Sequence, residues 1–145
     1  MILRTLVAAV ILALPAVRAA AECEVTVAFV DFGRLDARDD EEVTGEVGVL
    51  CDAPTGFALA LSEGLGSFKG RRMQGPQGAR LQYNIYLDPG HRRIWGDGVS
   101  AGTAVLTGRN NGRRRTLLPV YALVPRGQSR PAGSYHDTLI VTVER

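Results

Sequence analysis

Alternation of apolar and polar positions is the main pattern of this chain, and "GSYHDTLIVTVER" at residues 133–145 shows it most clearly. One parity of this segment is mainly apolar and the other is mainly polar. The first set comprises Tyr135, Asp137, Leu139, Val141 and Val143. A period of two that is rich in β-branched residues is typical of a strand with one buried face. The segment therefore predicts a strand that lies between a core and water.

Five further segments are typical of strands, and a sixth is weaker. Four of the five alternate, namely "CEVTVAF" (23–29), "GEVGVLC" (45–51), "GFALALS" (56–62) and "RLQYNIYLD" (80–88), whereas the fifth, "TLLPVYALV" (116–124), is apolar on both faces. The weaker segment is "GTAVLTG" (102–108). Pro119 has no backbone N–H to donate to a neighbouring strand, so we expect its strand to lie at a sheet edge or to contain a bulge. Most glycines lie in the connections, and no helical periodicity is visible. This combination predicts an all-β, antiparallel β-sandwich.

The first 21 residues have the features of a secretory signal peptide. Arg4 precedes an apolar run, and small residues stand before Glu22. The run is too short for a membrane anchor, since a spanning helix needs about 20 apolar residues. We therefore expect a signal peptide at residues 1–21, a single exported domain at residues 22–145, and no membrane anchor.

Charge disfavours a nucleic-acid partner. The chain has 17 Lys and Arg residues against 15 Asp and Glu residues. Removal of Arg4 and Arg18 with the signal peptide leaves 15 basic residues, which balance the 15 acidic ones. Affinity for phosphate backbones comes mainly from a surplus of positive charge.

The two cysteines, Cys23 and Cys51, are expected to form a disulfide, because export places them in an oxidising compartment. Both fall on the inward parity of strands that could pair. A zinc site is the weaker interpretation, because two cysteines without C-x-x-C spacing or a nearby His cannot supply four ligands.

Few residues of the sequence are candidates for catalysis. His91 lies in a predicted turn, and His136 lies on the solvent parity of its strand. No Ser, His and carboxylate set can be nominated as a nucleophile with its base. "GLGSFKG" at 64–70 lacks the spacing of a dinucleotide loop, and "DFG" at 31–33 lacks the other parts of a kinase. We therefore predict no enzyme activity, no cofactor and no metal.

Arginine clusters in predicted loops are the charged feature with functional potential. They comprise Arg71, Arg72, Arg92, Arg93, Arg113, Arg114 and Arg115. Arginine forks can bind an acidic polysaccharide or a phosphate surface, but the same residues can also be solvated loop tips. Trp95, the only tryptophan, could stack on a sugar or fill one end of the sandwich.

Six features in order resemble the spore coat protein U domain family, to which subunits of archaic chaperone–usher pili belong. They are the Cys23 strand, Phe32-Gly33, "GEVGVLC", "LQYNIYLD", "WGDG" and the terminal "GSYHDTLIVTV". The resemblance implies an immunoglobulin-like sandwich that lacks its last strand. A periplasmic chaperone and then a neighbouring pilin would supply that strand during assembly at an usher.

By this resemblance, the strand would enter a hydrophobic groove and the subunit would reach the surface of a Gram-negative bacterium. The expected groove residues are Val25, Val27, Phe29, Tyr135, Leu139, Val141 and Val143. Fibre-forming members carry a donor arm before their first cysteine, whereas only Glu22 stands between the predicted cleavage site and Cys23. Because this segment is too short to serve as a donor arm, it predicts a terminal, tip-like or accessory subunit.

The alternative function is a self-standing secreted coat or matrix protein that binds anionic glycans through its arginine loops. In either case, the surface contacted could be a glycan or an abiotic material.

Overall fold

Eight strands and two short 3₁₀ turns make up the computed structural model, which describes residues 20–27, 31–32 and 38–144. The strands are β1 (Cys23–Val27), β2 (Glu41–Cys51), β3 (Pro54–Leu61), β4 (Arg71–Gln74), β5 (Arg80–Tyr86), β6 (Leu106–Asn111), β7 (Thr116–Val124) and β8 (Val141–Glu144). The 3₁₀ turns are Pro76–Gly78 and Ser100–Gly102. The predicted all-β class is confirmed. Within these ranges, no helix has the length and apolarity needed to cross a membrane.

The strands form two antiparallel sheets. The five-stranded sheet has the order β1-β2-β7-β5-β4, and the three-stranded sheet has the order β6-β3-β8. Only Asp52 and Ala53 separate β2 from β3, so the chain passes from one sheet to the other at a tight corner. The chain returns between the sheets through the short turn from β6 to β7. These antiparallel layers have the architecture of the predicted immunoglobulin-like sandwich.

One hydrophobic core lies between the sheets, and the inward parities predicted from the sequence supply most of it. Its fully buried residues include Val47, Val49, Leu59, Leu61, Leu81, Ile85, Val120, Ala122 and Val124. Trp95 is also buried, and its indole N–H donates to the Leu59 carbonyl at 2.7 Å. Trp95 therefore fills the sandwich rather than presenting a stacking face to a sugar.

The predicted disulfide joins β1 to β2. Cys23 and Cys51 are directly opposite in the antiparallel register, with Cα atoms 4.0 Å apart, and their sulfur atoms are bonded. Cys51 is buried at the end of β2, so the bond fastens the start of the edge strand β1 to the core.

Several elements differ from the sequence predictions. Strand β4 lies in a glycine-rich connection that was expected to be a loop. Strand β6 starts at Leu106, four residues beyond the start of the expected segment. In the terminal segment, which we define as residues 134–144, only β8 forms a continuous ladder.

Pro119 lies in β7, which is a central strand of its sheet. Its neighbour on β2 is Glu46, whereas β5 pairs with β7 only at residues 121–123. Pro119 thus has a strand neighbour on one side only, and its missing N–H leaves no ladder acceptor unsatisfied on the other side.

Candidate functional site: the free edge of strand β8

The terminal segment alternates in burial as its sequence predicts, but its inward row is only half-buried. Tyr135, Leu139, Val141 and Val143 pack against the core while keeping part of their surface exposed. The residues of the other parity are exposed, and Ile140 is 66% exposed. The neighbouring row on β3 is completely buried, with Leu59 at 0%. Apolar surface that faces the core on this segment is therefore incompletely covered.

Strand β8 has a neighbour on one side only. It pairs with β3, where Leu61 faces Val141 and Leu59 faces Val143. Among the described strands, none pairs with the other side of β8, which we call the free edge. An edge of this kind presents unpaired backbone N–H and C=O groups to any extended chain that approaches it.

The terminal segment is attached to both sheets. His136 exchanges two backbone hydrogen bonds with Gln74 of β4, at 2.8 and 3.0 Å. Further on, Ser62 donates its N–H to the Ile140 carbonyl at 3.0 Å, and its hydroxyl oxygen accepts the Ile140 N–H at 2.9 Å. These contacts fix the approach of the chain into β8, and hence the position of the free edge.

Asp137 anchors the middle of the terminal segment. One carboxylate oxygen accepts the Tyr83 hydroxyl at 2.6 Å, and the other accepts the backbone N–H of Leu65 at 3.2 Å and of Thr138 at 2.8 Å. Burial, followed by the bond to Asp137, raises the pKa of Tyr83 well above its usual range. Tyr83 consequently stays a neutral donor at physiological pH.

Arg71 was predicted to be a surface-binding loop residue, and that prediction is wrong. It occupies the inward parity of β4, beside Met73, and is 0% exposed. Its guanidinium donates two hydrogen bonds to the Ser62 carbonyl at 2.7 and 3.0 Å, and one to the Trp95 carbonyl at 2.8 Å. Desolvation lowers the pKa of Arg71. Because Ser62 in turn holds Ile140, this buried cation indirectly supports the free edge.

The β1 part of the predicted groove is only partly described. Val25 is half-buried and packs against the same core as the terminal row, whereas Val27 is 46% exposed. Phe29 lies outside the described residues, as do residues 1–19 of the predicted signal peptide. Phe32 contacts the Tyr83 ring edge-on at 6.4 Å between centroids.

The remaining predicted arginines lie on separate elements. Arg72 is exposed on β4, Arg92 and Arg93 are exposed in a turn after β5, and Arg113 and Arg114 are exposed between β6 and β7. Arg115 lies 3.6 Å from the Glu24 carboxylate and donates to the Thr26 hydroxyl at 2.6 Å. Arg115 is therefore engaged with β1 rather than available to a ligand.

The histidines have structural neighbours. His91 Nδ1 lies 3.7 Å from the Glu42 carboxylate, and its ring meets Tyr86 edge-on. His136 is exposed and contributes its backbone to the pairing with Gln74. In the ranges that the structure covers, no three His, Cys, Asp or Glu side chains gather as metal ligands.

Comparison with models of known families shows to which family this chain belongs. The Spore Coat Protein U domain matches residues 8–142. The chain belongs to this family. The match covers nearly the whole chain and begins inside the segment predicted as a signal peptide.

Two relatives extend the comparison. Protein U of Myxococcus xanthus is 30% identical over 109 residues, which are 69% of this chain and 58% of that protein. A chain of the CsuC–CsuE chaperone–tip adhesion subunit pre-assembly complex, from archaic chaperone–usher Csu pili of Acinetobacter baumannii, superimposes with a TM-score of 0.63. That match has 24% identity and covers 87% of this chain and 40% of the other. This chain thus spans only part of the length of Protein U and of the Csu chain that shares its fold.

Proposed function

We propose that this chain is an exported structural subunit of a chaperone–usher pilus, and that it accepts a β-strand along the free edge of β8. The half-buried inward row of the terminal segment carries the proposal. An incoming strand would pair with the unpaired backbone of β8 and place alternate side chains over that row, as in β-strand addition.

The energy available from this contact is large compared with domain stability. Four inward side chains of an incoming strand would contribute about 1.5 to 3 kcal/mol each when fully buried. Their sum of roughly 6 to 12 kcal/mol is similar to the whole stability of a typical domain. A subunit without that strand would be marginally stable and prone to association along its edge. A chaperone that covers the edge before assembly meets this need.

Family membership and the Csu structure support the choice of partners. That structure is a complex between a chaperone and a tip adhesion subunit of an archaic pilus. By analogy, the partners here are a periplasmic chaperone, an usher and neighbouring pilins, and the destination is the surface of a Gram-negative bacterium. The role is structural or adhesive rather than enzymatic. Placement at the end of a fibre stays a prediction from the sequence.

A donor-peptide experiment tests strand acceptance. The full chain, produced by export to the periplasm, would be refolded with a synthetic peptide from the N-terminal arm of a neighbouring pilin. We expect a stable complex and a marked rise in melting temperature. The control peptide has the same length and carries Asp at the alternate positions that face the core. Equal melting temperatures with the two peptides would contradict the proposal.

A pair of chain variants locates the binding edge. Val143→Asp puts a charge on the inward row, whereas Thr142→Asp puts the same charge on the exposed face one residue away. We expect Val143→Asp to abolish complex formation and Thr142→Asp to preserve it. Because Val143 also packs on the core, each variant would be compared with its own peptide-free melting temperature.

A further inference from the structure

An open cleft lies beside the outward-facing residues of β4 and β5. Its volume is about 370 Å³, and its walls come from the loop before β4 and from the two strands. The lining residues are Leu65, Gly66, Ser67, Gly70, Arg72 and Arg80. A volume of this size falls within the range of small-ligand sites.

One wall of the cleft is a fixed hairpin. Ser67 and Gly70 exchange two backbone hydrogen bonds, at 3.0 and 3.3 Å. At the tip, the Phe68 carbonyl accepts a hydrogen bond from the buried Asn84 amide at 2.7 Å, and the Phe68 ring lies 5.6 Å from the Arg71 guanidinium. A Cβ on Gly66 would collide with the Gly70 carbonyl, so this close turn requires glycine. The wall is therefore held by its own backbone hydrogen bonds and by its attachment to the buried Asn84.

Two arginines of the cleft lack acidic partners. Arg72 and Arg80 occupy the outward parities of the paired strands β4 and β5. Among the described residues, neither has a carboxylate within 4.0 Å, and Arg80 has only a 3.4 Å hydrogen bond to the Leu65 carbonyl. The nearby Asp137 carboxylate is already bound by Tyr83 and Leu65. Both guanidinium forks thus remain available to an anion.

We propose that this cleft binds an acidic polysaccharide, with Arg72 and Arg80 holding its carboxylate or sulfate groups. Guanidinium forks match the planar, bidentate geometry of such oxyanions. The Ser67 hydroxyl and the partly exposed Leu65 side chain offer the mixed polar and apolar contacts that a sugar ring needs. Because the cleft is open, it can bind an internal segment of a long polymer and does not need a chain end.

The Arg72 and Arg80 pair replaces the sequence-based assignment, which grouped Arg72 with Arg71. Arg71 is turned into the core, and Arg80 joins Arg72 in the cleft lining. The two lie diagonally across the β4–β5 pair, where Arg72 faces Gln82 and Arg80 faces Gln74. The cleft and the free edge lie on different strands, so glycan binding and strand acceptance can succeed or fail independently.

Binding to polymers with one shared backbone tests the site. The full chain would be titrated with carboxymethyl dextran, dextran sulfate and uncharged dextran at about 50 mM salt, where surface charges are weakly screened. We expect binding to at least one charged polymer and none to uncharged dextran. A response to only one charged polymer assigns the anion, and a response to both assigns shared oxyanion recognition. Binding to neither charged polymer would overturn the proposal.

Matched arginine variants separate this cleft from general positive charge. Arg72→Gln with Arg80→Gln removes two charges from the cleft, and Arg113→Gln with Arg114→Gln removes two from the exposed β6–β7 turn. We expect a roughly tenfold loss of affinity per cleft arginine, the scale of a charge-assisted hydrogen bond. The turn variant should lose less than about threefold, because it changes only long-range charge, which salt screens, and removes no contact inside the cleft. Equal losses in both variants would refute the cleft.

A lysine exchange tests the fork geometry. Arg72→Lys with Arg80→Lys keeps both charges but loses bidentate contacts, so its affinity should fall between those of the wild type and the Gln variant. Melting temperature and donor-peptide binding should be unchanged in both cleft variants, because both side chains are exposed and, among the described residues, neither bonds to the terminal segment. Wild-type affinity in the Lys variant would show that charge alone, without a built site, accounts for binding.

Discussion

The buried guanidinium of Arg71 donates a 2.7 Å hydrogen bond to the side-chain oxygen of Asn84, which is itself buried. Asn84 uses its amide group to hold the Phe68 carbonyl at 2.7 Å. The two residues therefore connect β4, β5 and the hairpin that forms the cleft wall. Carbonyl oxygens and an amide oxygen, rather than a directly bonded carboxylate, satisfy this buried cation.

Replacing Arg71 should be strongly destabilising. Arg71→Met would leave the Ser62 and Trp95 carbonyls without this donor, whereas the Asn84 side-chain oxygen would still accept the Ile85 N–H. Each buried group that loses its partner costs about 1 to 3 kcal/mol, so we expect a loss of roughly 3 kcal/mol or more. Urea denaturation of the wild type and the variant measures this loss in the free energy of unfolding. Arg72→Met, on the exposed face of the same strand, is the control and should change stability by less than about 0.5 kcal/mol. Similar losses would show that the buried network contributes little.

Alkaline pH should weaken the fold through Tyr83. Because its pKa is raised in the folded chain, folding favours the neutral phenol. This contribution is fully present below the ordinary tyrosine pKa of about 10 and is lost as pH rises above it. We expect stable denaturation midpoints from pH 7 to 9 and a decline by pH 11. Tyr83→Phe, which also loses the bond to Asp137, should be less stable at neutral pH and show a shallower alkaline decline.

The loop that follows Trp95 should resist acid. The Asp97 carboxylate accepts the hydroxyl and N–H of Ser100, the N–H of Val99 and the hydroxyl of Thr103, at 2.6 to 3.0 Å. These bonds, led by the Ser100 hydroxyl, lower the pKa of Asp97. The contribution to stability is present above the ordinary value of about 3.9 and is lost only as pH falls through the lower folded value.

Nuclear magnetic resonance can follow this loop directly. During acid titration, the amide shifts of Val99 and Ser100 should stay constant to pH values well below 4, where exposed carboxylates have already titrated. Asp97→Asn should abolish this acid response and accelerate amide exchange at both positions. A midpoint near 4 for these amides would contradict the hydrogen-bonded carboxylate.

Loss of the disulfide should reduce stability more than its position on an edge strand suggests. The bond joins residues 28 apart in sequence and would stabilise by about 3.5 kcal/mol in the chain-entropy description. We expect the double variant Cys23→Ala, Cys51→Ala to lose stability on this scale and to be insensitive to reductant. Denaturation with and without dithiothreitol measures both effects. A wild-type chain that is unaffected by full reduction would contradict this expectation.

Alternation predicted the sandwich well where side chains alone decide burial. Both cysteines were placed on inward positions, and in the terminal segment every predicted inward residue is partly buried. These successes follow from the period of two, because one face of each strand must cover the same core. Thr116–Val124 was also found with its observed bounds, but from a continuous apolar run and not from alternation.

Strand β4 was not predictable in the same way. Its inward residues are Arg71 and Met73, and an arginine at a core position carries no apolar signal. Its burial depends on carbonyls contributed by Ser62 and Trp95, which lie 9 and 24 residues away. The placement of Arg72 and Arg80 in one cleft likewise depends on the pairing of β4 with β5 and not on a motif in the sequence. Non-local polar contacts of this type leave no periodic pattern.

The pairing of Leu61 with Val141 also constrains the order in which the fold can form. About 80 residues separate the two positions, so closing this loop is slow compared with forming the β2–β3 corner. During that interval β3 lacks its β8 neighbour, and its apolar side chains are available to other nascent chains. The period of greatest risk for misassembly therefore comes before β8 docks, when a partner that shields β3 would be of most use.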